Sequence, residues 1–249
     1  MNRIYWDIDK IASLTDHLEA ATHSHGMIQF FLFLNGTPQM KVGKEKIHDS
    51  CLFVNVNVKH AVKFSDGLLF TCVIEPASDM GRKLNEVLSG EDYFALDGAK
   101  TEELIALARQ MAGAFTKEAY TKLMEKLYED IGAGSSEKQL DERITTFLGM
   151  LENCSCTDHS IDHFAEKLCL SSSRLSHLFR EQVGITLKDY LILHQLERVF
   201  QDILGGRKIT DAAMDAGFDS PSHFASTVKR LMGLPARSTI KDSEFLKVY

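Results

Sequence analysis

Hydrophobic positions change their period along this chain, and the changes mark its parts. From residue 1 to about 75 they come in short runs broken by turn residues, which predicts strands. Thr22 to Leu34 reads as one extended run, and Asn35-Gly36-Thr37-Pro38 as a turn. Gln39–Val42 alternates, Gly43-Lys44 turns, Glu45–His48 returns, and Cys51–Val58 gives a further strand. Val62–Phe64 and Leu68–Glu75 follow, with Asp66-Gly67 between them as a hairpin signal. Pro76 ends the β region, whose many short strands suggest a small barrel or sandwich. The period then lengthens to that of a helix. A short helix is predicted around Gly81–Leu88. Leu104, Leu107/Ala108, Met111 and Phe115 mark a second, and Tyr120, Leu123/Met124, Leu127 and Ile131 a third. An apolar stripe outside a barrel needs a partner: either the barrel's own flank or a second subunit across a two-fold axis.

Ile131-Gly-Ala-Gly-Ser-Ser-Glu-Lys138 is small and polar, so the domains are cut there: 1–131, a linker at 132–139, and 140–240. Ile144, Phe147, Leu148 and Leu151 open the second domain with a helix. Two helix-turn-helix units follow, at about 161–183 and 209–232. The first breaks at Cys169-Leu170-Ser171 and stops at Gly184; the second breaks at Gly217-Phe218-Asp219 and stops at Gly233. Ser171 or Ser172 and Ser220 can cap the second helix of each unit, and Pro221 sits where no N–H is needed. A helix from Leu187 to Leu204 joins the units and spans about 25 Å, against roughly 34 Å for one turn of DNA.

The second helices bury Leu175, Leu178, Phe179 and Gln182/Val183 in one case and Phe224, Val228 and Leu231 in the other. Their remaining faces carry hydrogen-bonding tips, which suit the base edges of a major groove. On these residues the last ~110 positions resemble the AraC/XylS family of bacterial transcription regulators. The resemblance rests on Leu168, Ser171, Leu175, Leu178-Phe179-Arg180 and Gly184, then Tyr190-Leu191 and Leu196-Glu197-Arg198. In the second unit it rests on Ile209, Ala213, Gly217-Phe218, Ser220, Ser222, Phe224, Lys229 and Gly233. The chain departs from the family at Gln195, Val199 and Asp202, and at its closing signature, where Pro235 comes early and Thr239-Ile240 replace the end. The resemblance implies base contacts from Ser173, Ser176, His177, Ser222, His223 and Ser226, with Arg174, Arg180, Lys229 and Arg230 on phosphates. It also implies a cupin-like N-terminal barrel with trailing helices, and a homodimer formed through Tyr120, Leu123, Met124 and Leu127. An activator of this kind would also meet RNA polymerase.

Charge tempers that picture. Residues 140–249 hold 13 Lys/Arg against 15 Asp/Glu, within a chain of net charge −7. Few phosphate contacts are therefore expected, although residues 220–241 carry Lys229, Arg230, Arg237 and Lys241 and no acid. The hydrophobic fraction of 44% and charged fraction of 25% are those of a globular protein, and no apolar stretch reaches membrane-spanning length. Five cysteines in no framework pattern, Cys154-Ser-Cys156 among them, suggest a reduced cytoplasmic protein.

In the β region His23-x-His25-x3-Gln29 falls on alternate positions of one predicted strand, and His60 follows the Val54–Lys59 run. The pattern resembles the cupin His-x-His, with Gln29 where metal-dependent cupins have an acid. Three readings stay open: His23, His25, Gln29 and His60 contact a polar effector; His23, His25 and His60 hold a metal; or the cluster does neither. The expected function is an effector-modulated DNA-binding regulator with no cofactor and no catalytic residues. An effector-independent regulator and a metal-dependent cupin enzyme are the alternatives.

Overall fold

The computed structural model describes residues 2–7, 9–132, 140–152, 160–232 and 243–248. In chain order the elements are β1 (Asn2–Trp6), β2 (Lys10–Thr15), β3 (Leu18–His23), β4 (Ile28–Phe33), β5 (Gln39–Val42), β6 (Glu45–Ile47), β7 (Cys51–Val54), β8 (His60–Phe64) and β9 (Leu69–Ile74). Then come α1 (Asp79–Leu88), β10 (Tyr93–Ala95), α2 (Gly98–Gly113), α3 (Lys117–Asp130), α4 (Glu142–Glu152), α5 (Ile161–Lys167) and α6 (Ser172–Val183). The series closes with α7 (Leu187–Leu204), α8 (Ile209–Asp215), α9 (Pro221–Met232) and β11 (Glu244–Lys247). Residues 1–134 with 227–249 make one compact unit and residues 135–226 a second.

The β unit stacks two sheets, ordered β10-β7-β4-β9-β2-β1-β11 and β3-β8-β5-β6 among the described residues. Strand β4, Ile-Gln-Phe-Phe-Leu-Phe, lies between β7 and β9 and needs both faces covered. Phe31 and Phe33 pack with Leu52, Val54, Met40, Val62 and Phe64 in one core. On the opposite side Ile28, Phe30 and Leu32 join Leu84, Leu104 and Leu123, from the three helices α1, α2 and α3. That alternation is the period of two expressed on a strand buried on both sides.

Three readings of the sequence are corrected here. The Thr22–Leu34 run is two strands, because β3 ends at His23 and β4 begins at Ile28; His25 and Gly26 lie in the connection, after a register shift between Ala20 and His23. The run Cys51–Val58 stops as a strand at Val54, and Asn57 takes a left-handed φ of 62°. The third correction concerns the helix assigned to dimerisation. Tyr120, Leu123, Met124 and Leu127 are 0–7% exposed and belong to the helix-side core of the β unit. Tyr120 stacks on Tyr5 with ring centroids 5.1 Å apart and donates to Asp7 Oδ2 at 3.2 Å. Burying Leu123 in this way is worth about 2 kcal/mol relative to leaving it in water. The stripe's partner is the unit's own sheet, so these four side chains offer no free face to a second subunit.

The helical unit is built around Phe147 of α4, whose ring meets Phe164 at 5.2 Å, Phe179 at 5.6 Å and Tyr190 at 6.4 Å. Helices α5, α6, α7 and α9 start where hydroxyls satisfy orphan N–H groups, while α8 starts at Lys208 with no side-chain cap. Ser160 accepts from His163 N, Ser171 from Arg174 N, Thr186 from Asp189 N and Ser220 from His223 N, all between 3.1 and 3.2 Å. Gly184, with φ 85°, ends α6 in the left-handed conformation. At Gly217, φ is 91° and an added Cβ would stand 3.2 Å from Gln195 Nε2, so the turn before α9 favours glycine twice over. The predicted linker beyond Gly132, the Cys154/Cys156 pair, and Gly233, Pro235, Arg237, Thr239, Ile240 and Lys241 lie outside the described residues.

Candidate DNA-reading helices and candidate effector site

Helix α6 buries Leu175, Leu178, Phe179 and Val183 and leaves Ser173, Arg174, His177 and Arg180 exposed, with Ser176 half-buried. Helix α9 buries Phe224 and Val228 and exposes Ser222, His223, Ser226, Lys229 and Arg230. All ten residues assigned to DNA from the sequence thus lie on the solvent side or edge of their helices. The turns set this orientation: Phe218 and Phe224 meet edge to face at 5.3 Å, which seats α9 on its apolar side and turns Ser222 and His223 outward. Local partners on the free faces are weak ones. His177 Nδ1 lies 3.8 Å from Glu181 and His223 Nδ1 3.2 Å from Asp219, all four side chains being solvent-exposed. Arg207, by contrast, is held by Asp202 and Asp215.

The second site lies in the β unit. His23, at the end of β3, pairs in register with His60 at the start of β8. His25 follows in the β3–β4 connection and Gln29 lies on β4. Sequence reasoning put His23, His25 and Gln29 on one strand face; the fold instead gathers them from two strands and a loop. The ring centroids are 4.3 Å apart for His23–His60, 5.2 Å for His25–His60 and 5.5 Å for His23–His25. Gln29 Oε1 lies 2.9 Å from Nε2 of both His25 and His60, and Gln29 Nε2 donates to Thr71 Oγ1 at 3.2 Å. Thr71 went unrecognised in the sequence, being 42 residues from Gln29 with no motif to mark it. Burial lowers all three imidazole pKa values, to about 4 for His25 and about 3 for His60, so both stay neutral near pH 7. Beside them a cavity of about 90 Å³ is lined by His23, His25, Gln29, Phe31, Val62 and Thr71, among others.

The helix-turn-helix domain family matches residues 164–242, from α5 to beyond α9. LumQ of Photobacterium leiognathi, described as a probable transcriptional regulator, is 25% identical over 229 residues, 85% of this chain and 88% of that protein. The chain thus carries a helix-turn-helix domain and is similar, over most of its length, to a probable transcriptional regulator. The crystal structure of ToxT from Vibrio cholerae O395 shares the two-part fold, with a TM-score of 0.54 at 14% identity over 92% of this chain and 96% of that one. ToxT from Vibrio cholerae strain SCE256 with an unsaturated fatty acid bound gives 0.53 at 13% identity, over 92% and 93%. A helix-turn-helix domain is a DNA-binding module, and here it spans α5 to α9. No helix among the described residues is long and apolar enough to cross a membrane.

Proposed function

We propose that α6 and α9 each enter a major groove, with Ser173, Ser176, His177, Ser222, His223 and Ser226 reading base edges. Arg174, Arg180, Lys229 and Arg230 then hold phosphates. The observation that supports this reading is that these side chains lie on the solvent side or edge of two capped helices, which turn Leu175, Leu178, Phe179 and Val183 of α6 and Phe224 and Val228 of α9 inward. Serine hydroxyls make single hydrogen bonds, so each base contributes less discrimination than a bidentate arginine would, and two heads are needed for a specific site. The protein acts in the cytoplasm as a homodimer whose interface lies elsewhere than on Tyr120, Leu123, Met124 and Leu127. As an activator it would also contact RNA polymerase.

The β unit senses a small polar molecule at the histidine–glutamine cluster and shifts the DNA-binding equilibrium by preferring one arrangement of the protein. ToxT takes an unsaturated fatty acid. Here the cavity of about 90 Å³ is far below the ~300 Å³ or more of a drug-sized pocket, which favours a smaller effector. It also keeps alive an effector-independent regulator set by abundance or a protein partner. An enzymatic role has less support, because among the described residues no carboxylate joins the histidine cluster to act as a base.

Selection of bound duplexes from a random library, at low and at physiological salt, tests the DNA reading. Enrichment of paired motifs about one helical turn apart is expected. Binding that enriches nothing and disappears with modest salt would sink it.

A further inference from the structure

Lysines gather on the outer face of the smaller sheet, and the strand register puts them there. Along β5 and β8 the side chains alternate: Met40, Val42, Val62 and Phe64 turn into the core, while Lys41 and Lys63 are exposed. On β6 Ile47 is buried and Lys46 exposed. Lys41 pairs directly with Lys46 on one side and with Ala61 on the other. Two residues from Ala61 in either direction come Lys63 and Lys59, the latter just ahead of β8, its carbonyl accepting from Gly43 N at 2.7 Å. Lys41 thus has one lysine directly opposite, about 5 Å away at Cβ, and two on the diagonals at about 7–8 Å. With ~3.3 Å per residue and ~4.8 Å between strands, the four cover an area of about 13 by 10 Å. Lys44, exposed in the β5–β6 turn, borders it.

Like charges placed directly opposite destabilise a sheet. Little on this face offsets them. Among the described residues Lys63 has an ion pair here, with the equally exposed Glu19 at 3.7 Å, and Lys41, Lys44, Lys46 and Lys59 have none. Glu45 pairs with the buried Val42, which puts it on the opposite face, where Tyr93 donates to it at 3.4 Å. Residues 39–64 hold five lysines against two acids, within a stretch 1–139 that holds 15 Lys/Arg against 20 Asp/Glu. Lysines on an edge strand guard it against pairing with another chain. That accounts for Lys46 on β6 and leaves Lys41 on β5 and Lys63 on β8, both interior strands.

We infer, resting on the reading of the helical unit as the DNA binder, that this face is a second DNA contact. Lys41, Lys46, Lys59 and Lys63 hold phosphates of the duplex that the helical unit reads. They fill a shortage there: residues 140–249 have 15 acids against 13 bases, so the reading helices alone neutralise few phosphates. Other occupants fit less well. A second copy of the face would meet it with like charge. Protein interfaces are depleted in lysine and anchored by aromatic side chains. Among the described residues the large apolar side chains that stand exposed are Tyr128 and Met214, neither of them on this sheet. A duplex backbone needs no such anchor, since it offers about one charge per 1.7 Å of axis to point charges on flexible stems. Contacts of this kind add affinity without sequence preference.

Affinity of the full-length protein for a random-sequence duplex and for the duplex selected above, each between ~50 and ~200 mM salt, tests the face. Lys41→Gln with Lys46→Gln should flatten the plot of log affinity against log salt by about 1.8 on both duplexes and weaken every sequence alike. Lys41→Arg with Lys46→Arg keeps the charge and should keep the wild-type slope. Lys117→Gln with Lys122→Gln, two exposed lysines of α3, removes the same charge elsewhere and should leave the slope unchanged. All four positions are exposed, and thermal melts check that each variant is folded. An unchanged slope in the folded Lys41/Lys46 glutamine variant overturns the inference and points to an acidic protein instead. An equal loss in the α3 pair overturns it too, as does a wild type that binds no random duplex at low salt. If no motif is enriched while the lysine pair still sets the salt slope, base reading by the helices has failed and the lysine face stands.

Discussion

The two units put the same kinds of side chain to opposite uses. In the β unit, histidines, a glutamine and a threonine are enclosed, and each hydrogen bond must find its partner inside the protein. On α6 and α9, serines, histidines and basic residues face water, which completes whatever the protein leaves open. Substitutions in the first group should register in stability or ligand binding. Those in the second should leave stability alone and register only when DNA is present.

The enclosed side of this contrast is broken most severely at its apolar lining. Leu123→Ala should destabilise the β unit by about 2–5 kcal/mol in denaturant melts while leaving the oligomeric state unchanged in sedimentation. A dimer that dissociates at full stability would restore Leu123 to an intersubunit face. Next in size comes Thr71→Val, which removes the acceptor for Gln29 and the donor for Phe30 and should cost about 1–3 kcal/mol. Ser226→Ala serves as its exposed control, and a melt shift there as large as that of Thr71→Val would erase the contrast.

Effects confined to DNA are smaller still in stability terms. Arg174→Ala or Lys229→Ala should each flatten the plot of log affinity against log salt by about 0.9, with the melting curve unmoved. A slope that does not change would remove that residue from the phosphate contacts. The subtlest case is Ser222→Ala, expected to relax preference at one base position by about 1 kcal/mol or less and readable only by competition between near-identical duplexes. Loss of affinity for every sequence alike would mean that Ser222 positions the helix instead of reading a base.

The helical unit was the more legible of the two in the sequence because its signals are local. Ser160, Ser171, Thr186 and Ser220 are caps that act within three residues, and Gly184 and Gly217 adopt conformations other residues avoid. The β unit depends on pairings that no short window contains. Strands β10 and β11 went unread because what makes them strands is β7 in one case and β1 in the other. The apolar stripe of α3 announced that a partner existed without saying which, and the sheet had the prior claim. At the histidine cluster the sequence offered the three histidines and Gln29 but misplaced His25 on a strand. It also hid Thr71, which a hydrogen bond joins to the Gln29 amide.

The parallel pairing of β11 with β1 also sets a schedule for biosynthesis. Arg3 meets Glu244 in that pair, 241 residues later in the chain. At ribosomal rates of about 5–20 residues per second, β1 waits on the order of ten seconds to a minute for the strand that covers its outer edge. Until then that edge presents unpaired N–H and C=O groups to any neighbouring nascent chain, the exposure that invites edge-to-edge association. Slow codons or a truncation ahead of residue 244 would therefore be felt first as aggregation of the newly made β unit, before any defect in the helices between them.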